Sequence, residues 1–210
     1  MPAAIVLLAA WAINWGGLVP PEFRRINGTS YSGAVIVQAL ALTGLYAFAF
    51  ALPASALAGA FDLKTWRRIA IVSLALAFPL WLAIPTNFDK ANGRWGSAIW
   101  TLAAHSPHLG AHSIVVLLLT FVGVFALAAI LVHSHQRNYF PAEFLLLTFY
   151  FVGCAAQPLA WQRYVEPHIF LTLGVFTARL PKSKPWFDAV PVGLAVASAA
   201  LTVLHTAGRF

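Results

Sequence analysis

Charge is the scarcest commodity in this sequence. Of 210 residues only 9% are charged, with thirteen Lys and Arg against six Asp and Glu. A soluble domain carries about 25% charged residues, so no stretch here has the polar surface for a separate soluble domain. A single integral membrane domain over 1–210 is expected instead. Cysteine is nearly missing: Cys154 is the only one, which excludes an intrachain disulfide and leaves the redox compartment unread. A proton pathway needs a relay of buried acids, and six scattered carboxylates do not make one. The first segment has no basic n-region and no clean A-x-A cleavage site, and reads as a retained helix.

What is present is apolar. Hydrophobic residues make up 60% of the chain and mean hydropathy is +0.79. A spanning helix takes roughly 20 mostly apolar residues, and such runs fall at about 3–20, 33–60, 69–86, 113–132, 140–160, 166–180 and 187–206. The expected fold is therefore an all-α polytopic bundle of six or seven transmembrane helices. The second run is long enough to tilt or to break at Pro53, and the sixth is short enough to be re-entrant. Runs such as Ile114 to Leu119 lack the dyad alternation of a β-barrel. The connector from Thr86 to His112 is the longest, and residues 95–104 within it read as an interfacial helix with Trp95, Ile99 and Leu102 near helical spacing.

The net charge of +7 is not a nucleic-acid footprint, because the cations stand singly or in pairs between apolar runs. Contact with membrane lipid fits them better. Loops after the second, fourth and sixth spans hold seven of them (Lys64, Arg67, Arg68, Arg137, Arg179, Lys182, Lys184), and the other side holds six. That near-balance places the first group in the cytoplasm by one charge. The acids are more telling, since Glu22, Asp89 and Glu166 all fall on the outer side, each close to an Arg or Lys. Arginine offers a planar fork of donors suited to phosphate, so Arg24, Arg25, Arg94 and Arg163 are candidate ligands for a lipid phosphate, and Glu166 for orienting Arg163 or touching a sugar. The same residues also read as snorkelling anchors and rim ion pairs.

Histidines give a weaker pattern. His105, His108 and His112 would share a face if helical and could then hold a metal, but Pro107 and Gly110 interrupt that helix. No metal site and no cofactor is expected. The Ala- and Gly-rich second and seventh spans signal close helix packing. In-span polar residues are Asn14, Gln38, Glu143 and Gln157, with Glu143 placed to act as a first-turn acid after Pro141.

Two stretches, Gly93-Arg94-Trp95-Gly96 and Ala160-Trp161-Gln162-Arg163-Tyr164-Val165-Glu166-Pro167, resemble the C-terminal membrane half of GT-C-type glycosyltransferases. The resemblance covers about 20–180. It implies a multi-spanning protein of the cell (inner) membrane that binds a polyprenyl-phosphate-linked sugar, with the QRY-x-E-P stretch near the donor phosphate. Members resemble one another most in an acidic catalytic motif in the first large outer loop. Here that loop, about 21–32, holds Glu22 as its only acid, so the resemblance implies a membrane module without a complete catalytic site. Two other readings stand beside it: a non-catalytic subunit that scaffolds partner protein chains, and a histidine-liganded metal or haem protein.

Overall fold

The computed structural model describes residues 32–51, 62–92, 94–95, 97–137, 142–155 and 162–179. They form six helices and one short hairpin: α1 (Gly33–Ala51), α2 (Leu63–Ala83), α3 (Ala98–Ala104), β1 (His108–Leu109), β2 (His112–Ser113), α4 (Ile114–Gln136), α5 (Ala142–Cys154) and α6 (Gln162–Arg179). The architecture is all-α, as the composition implies. Among these helices α2 and α4 are long and apolar enough to cross a membrane, with mean hydropathies of 1.4 and 3.0. Shorter apolar stretches occupy Gly33–Ala47, Phe144–Cys154 and Val165–Val175.

Helix α1 is the centre of the bundle. It packs on α4, α6, α5 and α3, while α2 packs on α4 and α5 on α6. The α1–α4 crossing is set by two glycines. A Cβ at Gly44 would land on the carbonyl oxygen of Leu119, and one at Gly123 on that of Leu40. Backbone meets backbone there, an approach that only hydrogen side chains permit. Around it Val37, Leu42, Val116, Ile130, Leu147 and Ile169 form a continuous buried core. The rim of the bundle is unusually apolar. Ile71, Val72, Leu74, Leu76 and Phe78 of α2, with Phe149 and Val152 of α5, are all exposed. Such a surface marks a contact with lipid or with another protein.

Helix bounds depart from the hydropathy runs for local reasons. α2 begins at Leu63, six residues before the apolar run, because Asp62 caps it by accepting a hydrogen bond from Thr65 N at 2.9 Å. Lys64, Arg67 and Arg68 therefore belong to the helix. α4 starts at Ile114 under the same kind of cap from Ser113 and runs on to Gln136. α6 begins at Gln162 and continues through Pro167. The proline does not break the helix; it only withholds the N–H that the Arg163 carbonyl would otherwise receive. The expected runs at 3–20 and 187–206, and the end of the second beyond Ala51, lie outside the described residues.

Candidate functional site

One end of the bundle is closed by the connector between α2 and α4. Gly33 at the head of α1 lies against Ile84 after α2, and Ser32 N donates to Ala155 O after α5 at 3.0 Å. Those contacts bring the start of α1 and the ends of α2 and α5 together. Thr86 N and Asn87 N both donate to Ala111 O, and Trp81 Nε1 donates to Ser113 O at 2.8 Å. The chain therefore leaves α2, loops over the end and returns into α4 as a fastened cap.

A helix does form within the 95–104 stretch: α3, three residues shorter. It is capped by Ser97, whose hydroxyl accepts from Ile99 N at 3.2 Å. Ile99, Trp100 and Ala103 are buried against the bundle, whereas Trp95 and Leu102 are exposed. Trp100 thus seals the bundle end. After it, Gly110 takes φ of 61°, the left-handed turn that joins β1 to β2.

Arg94 sits in a tight turn of this connector, nine-tenths buried. Asp89 and Arg94 pair backbone to backbone in an isolated bridge. The Arg94 side chain then turns back: Nη2 meets Asp89 Oδ2 at 2.8 Å and Asn87 Oδ1 at 3.1 Å, and Nε donates to Asn87 O at 2.9 Å. The Asn92 side-chain amide donates to Asp89 Oδ2 at 2.6 Å, and the amides of Ala91 and Asn92 donate to Oδ1. The Asn92 amide above all, with the Arg94 guanidinium assisting, holds the Asp89 carboxyl below the usual carboxylate range.

On α6 the central residue is Glu166. Its carboxylate accepts a hydrogen bond from the Tyr46 hydroxyl on α1, and the Tyr46 ring packs on Phe170 with centroids 4.5 Å apart. Two residues on, His168 stacks on Tyr150 of α5 at 3.7 Å and 14°. Tyr150 lies about a turn and a half before Ala155, whereas Tyr46 lies about 20 Å along α1 from Gly33, so Glu166 meets α1 well below the capped end. Arg163 occupies the first turn of α6; its side chain lies outside the described residues, as do Glu22, Arg24 and Arg25 entirely. Of the candidate set, Arg94 is enclosed by its own turn and Glu166 is bonded to α1.

The histidines do not share a helix face. His105 follows α3 and places Nδ1 2.8 Å from Thr101 O, whereas His108 and His112 lie on the two strands of the hairpin. Among the described residues no group of three or more His, Cys, Asp or Glu is arranged to hold a metal. Sequence reasoning missed Tyr46 and Asn87. The signal for Tyr46 was a phenol in an otherwise apolar run, since a buried Tyr hydroxyl usually finds a partner. No family model matches this chain, and neither a curated protein nor a solved structure matches it.

Proposed function

We propose that the chain is the membrane module of a GT-C-like glycosyltransferase, set in the cell membrane by six or seven spans, and that it binds a polyprenyl-phosphate-linked sugar at the capped end of the bundle. The supporting observation is polar chemistry on two elements: the Asp89–Arg94 turn in the connector, and Glu166 and His168 in the first two turns of α6. A lipid-linked donor needs a polar head site beside an apolar flank. Exposed Phe149 and Val152 of α5 and Leu171 of α6 supply the flank.

In this reading Arg163 contacts the phosphate, with Arg24 and Arg25 assisting, and Glu166 orients Arg163 or meets the sugar. Arg94 reaches the phosphate only by exchanging Asp89 for it, so its first role is to shape the rim. Transfer needs a carboxylate within hydrogen-bond reach of the acceptor hydroxyl, and a partner chain supplies it. A second reading, a non-catalytic scaffold subunit, draws on the enclosure of Arg94 by Asp89 and Asn87, which leaves that cation little reason to seek a ligand. Native mass spectrometry of the gently solubilised full chain with added long-chain polyprenyl phosphate separates them. Retained polyprenyl phosphate, lost in Arg163→Ala, supports the transferase module. Stable partner chains with no polyprenyl phosphate retained would replace it with the scaffold.

A further inference from the structure

The two ends of the bundle differ in how their charges are held. Among the described residues the capped end holds Arg94, enclosed by Asp89 and Asn87, and a single exposed cation, Lys90. The opposite end carries Lys64, Arg67 and Arg68 in the first two turns of α2 and Arg137 after α4, all exposed. These do share an end. Trp81, late in α2, bonds to Ser113 just before α4, whereas Trp66, early in α2, stacks on Phe125 further along α4 at 5.4 Å, so the two helices run antiparallel. The acid beside them, Asp62, already caps α2 through Thr65.

Three cations in the opening turns of a helix oppose its dipole, whose N-terminal end is positive. Their placement makes sense where an external anion meets them. The helix surface below them says which anion. At spacings of three and four, Lys64, Arg67 and Arg68 stand over Ile71, Leu74, Phe78 and Leu82, all exposed. A cationic head above a continuous apolar stripe matches a phosphate headgroup above its acyl chains, and a free phosphate has no use for the stripe.

We infer that this face of α2 is a binding site for anionic phospholipid. Arg67 and Arg68 take the headgroup phosphate, Lys64 adds charge, and Ile71, Leu74, Phe78 and Leu82 line the acyl chain. The basic end then lies at the cytoplasmic leaflet, where anionic lipid attracts juxtamembrane cations, and the capped end lies on the other side. The inference rests on the membrane-spanning part of the reading above and not on its transferase part. Polyprenyl phosphate binding and phospholipid selectivity fail independently.

The test is native mass spectrometry of the full chain from nanodiscs holding equal phosphatidylglycerol and phosphatidylcholine. We expect retained lipid to be enriched several-fold in phosphatidylglycerol. The enrichment should vanish in Arg67→Gln/Arg68→Gln and persist in Lys90→Gln at the capped end. Equal retention of both lipids, or enrichment unchanged in the double variant, overturns the site. Should that variant not fold, a salt titration of the unaltered protein decides: enrichment that survives about 1 M salt, where the Debye length is about 3 Å, overturns the charge-led reading. Equal competition by glycerophosphoglycerol, which lacks acyl chains, overturns the apolar half of the site.

Discussion

The hydroxyl of Tyr46 on α1 donates to the carboxylate of Glu166 on α6 and so ties together two helices 120 residues apart in sequence. The tie is made within apolar surroundings, with Phe170 against the Tyr46 ring and Val165 and Ile169 buried beside it. Tyr46→Phe keeps the ring and removes only the donor. Interhelical hydrogen bonds in membrane proteins average about 0.6 kcal/mol and reach about 1.7. Thermal unfolding in detergent should therefore show a lower midpoint for Tyr46→Phe. An unchanged midpoint would mean the bond adds nothing.

The glycine crossing of α1 and α4 gives a sharper contrast. Ala at Gly44 or Gly123 places a methyl group on a carbonyl oxygen of the facing helix, and neither backbone can yield without the helices moving apart. Overpacking of this kind costs about 1–3 kcal/mol. A Cβ at Gly153 on α5 would meet nothing within 4 Å. Gly153→Ala should stabilise by about 0.5–1 kcal/mol, since glycine carries that helix-interior penalty. The discriminating measurement is the sign of the change in unfolding free energy for the two classes of variant. The crossing is not the fold's tight point if Gly123→Ala and Gly153→Ala move together.

Much of this architecture was legible in the sequence. The apolar runs located α2, α4, α5 and α6, because hydropathy reports desolvation directly. It misjudged their ends, because capping and snorkelling are local: Asp62 and Thr65 extend α2 across Lys64, Arg67 and Arg68, which a hydropathy window rejects. The separation of charge between the two ends was hidden as well. Counting Lys and Arg gave a near-balance, and only the Asp89–Arg94 pairing shows that one of those cations is internally compensated. Tyr46 and Glu166 carry no joint sequence signal, since their meeting depends on how α1 and α6 pack.

The Asp89 turn should depend on pH. Its carboxyl sits below the usual range, chiefly through the Asn92 amide. A group whose folded pKa is depressed contributes stability that is fully present above its unfolded value, about 3.9 for Asp. That contribution is lost as pH falls below this value and through the folded one. Hydrogen exchange at the Asp89 and Arg94 amides, which pair with each other's carbonyls, should show constant protection above about pH 5 after correction for intrinsic rates. Protection should fall below about pH 4. Asp89→Asn should show the lower protection at every pH, and protection equal to the unaltered protein at neutral pH would remove the carboxylate from the account.

Ser113 fastens the cap to the bundle with every polar atom it has. Its carbonyl receives Trp81 Nε1 at 2.8 Å, its N–H reaches Thr86 Oγ1 at 2.8 Å, and its hydroxyl lies 2.6 Å from Ser106 Oγ while accepting from Val116 N at 3.3 Å. Ser113→Ala keeps the two backbone bonds and loses the helix cap and the Ser106 contact. An N-cap serine replaced by alanine costs about 0.5–2 kcal/mol, and the stranded Ser106 hydroxyl still has Ala103 O to bond, so the loss should stay near the middle of that range. Trp81→Phe acts differently. It removes one of two donors from the Ser113 carbonyl, which as the N-cap carbonyl still receives the first bond of α4, so the loss is that of one ordinary hydrogen bond, about 0.5–1.5 kcal/mol. The two variants should therefore separate by location. Ser113→Ala loosens the first turn of α4, while Trp81→Phe loosens the joint between α2 and the whole connector. Hydrogen exchange resolved by residue distinguishes them: faster exchange at Val116 alone fits the first. Faster exchange at Thr86, Asn87 and Ser113 together fits the second. The same profile in both variants would mean that the cap opens as one unit, with Ser113 as its hinge and no division between its side-chain and backbone bonds.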